Sequence, residues 1–337
     1  MFAACRRITL LAVALPAAAL LVASGGVGAQ PVSASAPYPA GLTDHAIMVN
    51  GVMRQYRMHV PATLTGPPRA VMLALHGGGG KGLDSASSGT HPLSAFRTVA
   101  DREGLVVVFP AGLPARDRQG NTGWVDCRAD NTVASGADDI GFLAALTERV
   151  RQQYGLTSSR MFMAGGSNGA QMTQAFAFHR PELVGAVASS AGSLPASPLP
   201  GRCTTGPDRP LPILLVHGTA DTAMPWSGGC VANLGGACAR GRVIPAEATR
   251  DRWLQINGLA GVTPTHTVID SVPSDGGPAN RFDYTGAAPV QWWRLDGAGH
   301  AAPSQTVLLP PSRAAGIQNR DIEFAEVAWA FFSSRLP

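Results

Sequence analysis

The chain is 337 residues long, 45% hydrophobic and 14% charged, with 40 Gly and 27 Pro. It is therefore long and apolar enough to bury a sizeable core and too apolar for a disordered polypeptide. Its 26 Lys and Arg against 22 Asp and Glu give a net charge of +4 without any basic run, which argues against nucleic acid as a partner.

Arg6 and Arg7, the 14 apolar residues Leu10 to Ala23, and the small-residue site Val27-Gly28-Ala29 predict a secretory signal peptide over 1–29. The apolar run is interrupted by Pro16 and falls short of the ~20 residues that a membrane span needs. No later run is long enough either. The expected mature product is thus an exported monomer, extracellular or periplasmic, with no membrane span. Residues 30–42, rich in Pro, Ser and Ala, read as a loose lead-in, and 43–337 as a single domain.

The domain opens with a hairpin. His45, Ile47 and Val49 alternate, Asn50-Gly51 carries the signal of a type I′ turn, and Val52, Tyr56, Met58 and Val60 follow. Beyond it, the short apolar runs Ala70 to Leu75, Leu105 to Phe109, Arg160 to Ala164, Val184 to Ala188, Ile213 to Val216 and Val290 to Leu295 read as buried strands. Helical patterns separate them: Ile140, Leu143, Leu146 and Val150 share a face, and Ala246 to Ile256 and Asp321 to Phe332 are expected helices. This alternation predicts an α/β fold, a mainly parallel sheet with helices on both faces and the antiparallel hairpin at its start.

Three strand ends carry chemistry. The run Met161 to Ala164 leads directly into Gly165-Gly166-Ser167-Asn168-Gly169, and Gln171 to Phe178 reads as a helix with Met172 and Phe176 on one face, stopped by Pro181. Strand, sharp turn and helix around G-x-S-x-G form a nucleophile elbow, with Ser167 at its tip. Strand Ile213 to Val216 ends in His217-Gly218-Thr219-Ala220-Asp221, which makes Asp221 the candidate orienting acid. Strand Val290 to Leu295 ends in Asp296-Gly297-Ala298-Gly299-His300, which makes His300 the candidate base. Serine, acid and base then follow in the chain order of an α/β-hydrolase. Upstream, Leu75 gives way to His76-Gly77-Gly78-Gly79-Gly80, where backbone N–H groups could meet an oxyanion. Gly78 and Asn168 are the candidate donors. A phosphate-binding loop is the rival, but Lys81 is followed by Gly82 rather than Ser or Thr.

With Cys5 in the leader, Cys127, Cys203, Cys230 and Cys238 remain, an even count that suggests two disulfides in an oxidising compartment. Three connectivities are possible. Cys230 and Cys238 flank a Gly-rich loop and are expected to pair locally, leaving Cys127 with Cys203. No C-x-x-C or neighbouring His pair suggests a metal.

The segments LHGGGG, Asp138-Asp139-Ile140-Gly141-Phe142, GGSNGAQM and HGTADTAMPWSGG together resemble the secreted esterases of the poly(3-hydroxybutyrate) depolymerase type, a group that includes feruloyl and acetylxylan esterases. The likeness runs from about Ala70 to His300. It implies an α/β-hydrolase fold, a cofactor-free serine esterase, and a catalytic triad of Ser167, Asp221 and His300. Two places depart from the family: His300 is followed by Ala301-Ala302-Pro303-Ser304 rather than an aromatic and Pro-Gly, and Trp226 stands where Tyr is common. Trp226 and Trp124 are the candidate substrate-binding aromatics, with core packing the alternative for each. The resemblance implies soluble or short hydroxyalkanoate esters as substrates. Feruloyl or acetylxylan esters are the alternative, and a non-catalytic binding protein on a hydrolase scaffold is the rival outside enzymes.

Overall fold

Apolar runs such as Val106-Val107-Val108-Phe109 have no polar alternation, so both faces of such strands must be covered. They occupy the centre of a ten-stranded sheet in the computed structural model, which describes residues 38–79, 82–87, 89–116, 121–232, 238–312 and 315–337. The expected leader, most of the lead-in and Lys81 lie outside the described residues.

In chain order the strands are β1 (Gly41–Val49), β2 (Val52–Val60), β3 (Val71–Leu75), β4 (Val106–Pro110), β5 (Leu113–Pro114), β6 (Thr122–Gly123), β7 (Met161–Gly166), β8 (Ala186–Ser190), β9 (Ile213–Gly218), β10 (Gly229–Cys230), β11 (Arg242–Val243), β12 (Thr265–Ile269), β13 (Ala279–Tyr284) and β14 (Val290–Leu295). The helices are α1 (Ala95–Glu103), α2 (Asp139–Gln153), α3 (Asn168–His179), α4 (Arg202–Thr205), α5 (Ala246–Ile256) and α6 (Phe324–Ser333). The sheet order is β1-β2-β4-β3-β7-β8-β9-β14-β13-β12. From β4 to β14 neighbouring strands are parallel. The hairpin β1–β2 joins β4 antiparallel at one side, and β13 and β12 continue antiparallel from β14 at the other.

Alternate strand residues feed two cores. Leu73, Val108 and Met163 pack with Phe142 of α2, Phe176 of α3 and Trp253 of α5 on one face. Met72, Val107 and Phe162 pack with Phe96 of α1 and Phe332 of α6 on the other. The hairpin turns at Asn50 and Gly51, whose φ values of 50° and 77° are those of a type I′ turn. Asp138 caps α2 by accepting the Gly141 N–H at 2.7 Å. Asp139 accepts from Arg54 at 2.5 Å and from the Val125 N–H at 2.7 Å, which ties the hairpin to the loop that leads into α2.

The structure differs from the sequence reading in several places, beyond the two-residue strands and the short α4. Strand β1 begins at Gly41, inside the segment expected to be loose. Helix α1 and the antiparallel pair β12–β13 were not expected; His266 lies within β12, stacked on Phe282 at 4.4 Å. Helix α6 begins at Phe324 rather than Asp321. The Asp321 carboxylate accepts the backbone N–H groups of Val272 and Ala279 at 2.9 and 3.2 Å, which holds that stretch in a loop.

Candidate active site

Strand β7 runs into Ser167, and α3 begins at the next residue, so the chain reverses direction over one serine. Ser167 sits at φ 55° and ψ −124°, a left-handed conformation that a non-glycine side chain adopts only when its surroundings enforce it. Its N–H donates to the Ser190 carbonyl at 2.8 Å. Both motif glycines are required by space. A Cβ on Gly165 would lie 2.4 Å from the Gly169 carbonyl oxygen, and one on Gly169 would lie 2.3 Å from the carbonyl oxygens of both Leu75 and His76. The turn is this sharp because α3 lies directly on the end of β3.

The ends of β9 and β14 are latched together. The Ala220 N–H donates to the Ala298 carbonyl at 2.9 Å, and the Gly297 N–H donates to Thr219 Oγ1 at 2.9 Å. This brings Asp221 beneath His300: His300 Nδ1 lies 2.8 Å from Asp221 Oδ2, and its Nε2 lies 2.8 Å from Ser167 Oγ. An ionised carboxylate can only accept, so Nδ1 carries the proton and Nε2 keeps a lone pair toward the serine hydroxyl. Asp221 is fully buried, and its Oδ1 accepts the N–H groups of Ala223 and Met224 at 2.9 and 2.8 Å. Burial alone would raise its pKa, but the hydrogen bonds and charge interactions of His217 and His300 outweigh that and hold it well below the usual carboxylate range. The three expected residues are thus brought together, with the serine hydroxyl and imidazole partly open to solvent.

The glycine loop after β3 lies beside the elbow. A Cβ on Gly77 would be 3.2 Å from the Ser167 Cβ, and one on Gly78 would be 3.4 Å from the Asn168 Cβ. The Gly79 N–H is engaged by the Thr122 carbonyl at 3.2 Å. His76 braces the loop from behind: its Nε2 accepts the Gly112 N–H at 3.0 Å, so Nδ1 is the donor to the Gly77 carbonyl at 2.7 Å. In a planar trans peptide the Gly78 N–H points opposite to that carbonyl. Burial lowers the His76 pKa to about 4, so the ring is neutral. On the other side, Asn168 opens α3, where the first backbone N–H groups lack intrahelical acceptors. Its side chain is tied down, with Oδ1 accepting the Trp124 N–H at 2.7 Å and Nδ2 donating to Asp126 Oδ2 at 2.8 Å.

A cavity of about 220 Å³ opens over Ser167 and His300, walled by Gly78, Val133, Val231 and Arg240 among others. Trp124 lines it too, though its indole N–H donates to the His76 carbonyl at 2.8 Å and only 2% of the residue is exposed. Trp226 does not line it. That indole meets the His217 ring edge-on at 5.9 Å and tilts against Trp292 at 5.7 Å, so core packing is where the fold places it. Both disulfides border the cavity. Cys127–Cys203 (Cα–Cα 5.4 Å) anchors the loop of Trp124 to α4, and Cys230–Cys238 (5.1 Å) closes the loop of Val231 and Ala232. His179 comes close to Cys127 and Cys203, but sulfurs joined to each other are not thiolate ligands.

Sequence reading missed the support behind Asn168, a buried ion pair in which Arg128 donates to Asp126 Oδ2 at 2.7 Å. It also missed the Arg240 wall. The Arg128 guanidinium bonds the Arg240 carbonyl, a contact between residues 112 positions apart that no local spacing announces.

Residues 63–233, half of the chain, match the phospholipase/carboxylesterase family. The chain is 25% identical to feruloyl esterase C of Emericella nidulans over 283 residues, covering 83% of this chain and 84% of that one. It is 32% identical to feruloyl esterase B of Neurospora crassa over 134 residues, 40% of this chain and 42% of that one. The chain spans about half the length, or less, of several curated relatives that it matches. Its fold is similar to that of an acetyl xylan esterase from Aspergillus awamori, with a TM-score of 0.56 and 17% identity over 86% of this chain and 99% of that one. Among the described residues, no helix is long and apolar enough to cross a membrane.

Proposed function

This chain belongs to the phospholipase/carboxylesterase family, and on that premise we propose that it hydrolyses carboxylic esters through an acyl-serine. The observation that carries the reading is the continuous hydrogen-bonded line from Asp221 through His300 to Ser167, with 2.8 Å at each link. Ser167 Oγ attacks the ester carbonyl while His300 Nε2 takes its proton, and Asp221 holds the imidazole in the tautomer that leaves Nε2 free. The N–H groups of Gly78 and Asn168 receive the carbonyl oxygen as it becomes negative. His300 then protonates the departing alcohol, and water repeats the sequence on the acyl-serine. No cofactor takes part in any step.

Val133 and Val231 give the cavity apolar walls and Arg240 a polar one, which suits a short acyl group with a polar substituent, in line with soluble hydroxyalkanoate esters. Relatives that align over most of the chain include feruloyl esterases, which favours cell-wall esters as a second reading. Hydrolysis of p-nitrophenyl butyrate, 3-hydroxybutyrate oligomers, methyl ferulate and acetylated xylan separates the two. Ser167→Ala should remove nearly all turnover while preserving the fold; turnover that survives the change refutes the reading. The two disulfides support export to an oxidising compartment.

A further inference from the structure

The strand-end histidine His217 is buried four residues before Asp221, and the reaction steps above do not use it. Its Nε2 lies 2.9 Å from the Met224 carbonyl oxygen and 3.4 Å from Asp221 Oδ2. A carbonyl only accepts, so Nε2 carries the proton, and Asp221 Oδ2 lies at longer range from the same nitrogen. Met224 also donates its own N–H to Asp221 Oδ1 at 2.8 Å. The turn 221–224 is thereby fastened at both ends of Met224, once to the carboxylate and once to His217. Trp226 presses edge-on against the His217 ring and is itself backed by Trp292, so the ring is held where it stands.

We propose that His217 is a positioning residue for Asp221: its Nε2–H fixes the 221–224 turn and shares the carboxylate oxygen that receives His300 Nδ1–H. The proposal rests on the ester-hydrolase reading and extends it to a residue that does not touch substrate. It also gives Trp226 a role away from the cavity, as the clamp on that ring. The ionisable groups acting on Asp221 are His217, from the end of its own strand, and His300, from the loop after β14. His300 is met on its other side by Ser167, with Arg128 and Arg240 lining the same cavity.

Removing the His217 donor does two things. It frees the turn, and it leaves the carboxylate's negative charge undivided toward an imidazolium at position 300. His217→Phe should therefore lower kcat on p-nitrophenyl butyrate by about 10- to 100-fold, the scale of one hydrogen bond to a charged group, with KM changed less than about twofold. The acid limb of the kcat/KM profile should move to higher pH by about half a unit. His217→Gln, whose Nε2 reaches the same place, should recover most of the kcat and restore the limb. A residue that only fills space would lose stability without moving the limb, and Phe would serve it better than Gln. Fluorophosphonate titration counts competent sites in each variant.

If His217→Phe fails to fold, His217→Asn, too short to reach Asp221, should show the same shift. A wild-type kcat and limb in either variant overturns the proposal. A measurement on the unaltered protein needs no turnover: 15N-labelled imidazole spectra should show His217 protonated at Nε2, and protonation at Nδ1 alone overturns the assignment. A wild-type protein that neither hydrolyses esters nor labels would instead refute the parent reading, while the spectra still decide the His217 geometry.

Discussion

The backbone at Ser167 offers a direct test of whether the elbow stores strain. At φ 55° and ψ −124°, a side chain with a Cβ costs about 1–3 kcal/mol, whereas glycine adopts this conformation freely. Ser167→Ala and Ser167→Gly both delete the hydroxyl and its bond to His300, so comparing the two isolates the Cβ. Glycine loses about 0.5–1 kcal/mol more backbone entropy on folding than alanine. The difference leaves Ser167→Gly more stable than Ser167→Ala by about 1 kcal/mol, or roughly 2 °C in Tm for a domain of this size. Urea titration and calorimetry of the two variants at one pH measure it. Equal stability, or a less stable glycine variant, refutes the claim that the nucleophile is held in a strained turn.

Acid should destabilise the protein before its carboxylates are protonated. Burial lowers His76 and His91 to about 4 from 6.5, and each accepts a backbone N–H through a ring nitrogen. The unfolded chain binds these protons first, so stability is full above pH 6.5 and erodes as pH falls toward 4, by up to about 1.4 kcal/mol per unit for each ring. His76→Gln should flatten that slope in a series of urea titrations. Asn168→Ala leaves the buried Trp124 N–H without its acceptor and should cost about 1–3 kcal/mol in the same assay, along with much of kcat. The disulfides should separate stability from binding. Cys127–Cys203 closes the longer loop, with a sequence separation of 76 against 8, and removing it should cost roughly 4 kcal/mol against about 2.5 for Cys230–Cys238. Loss of Cys230–Cys238 should act mainly on KM, because Val231 and Ala232 wall the cavity.

Much of this site was legible because the chemistry sits where strands end. A buried strand entering G-x-S-x-G marks Ser167, and two later buried strands ending in Gly-rich turns mark Asp221 and His300; the fold then brings those ends together. The features that escaped are those whose signal is weak or distant. Helix α1 does bury Phe96, Val99 and Ala100 on one face, but the stripe covers only nine residues and is easily passed over in the sequence. Strand β12 is exposed or half-exposed along its whole length, so it lacks the alternation that marks a one-sided strand. Trp226 follows Pro225 in a turn, where spacing does not tell cavity from core. The Asp126–Arg128 pair lies some 40 residues before the serine and reaches the site through Asn168 and the cavity wall, contacts that no local spacing announces.

The central claim is that Ser167 is a nucleophile activated by His300 and Asp221. Intact-mass and peptide spectrometry after treatment with a fluorophosphonate tests it most directly. A single phosphonyl adduct on the peptide carrying Ser167, absent in Ser167→Ala and slowed while excess p-nitrophenyl butyrate is present, is the predicted result. No adduct on the folded protein, or one on a different serine, contradicts the account.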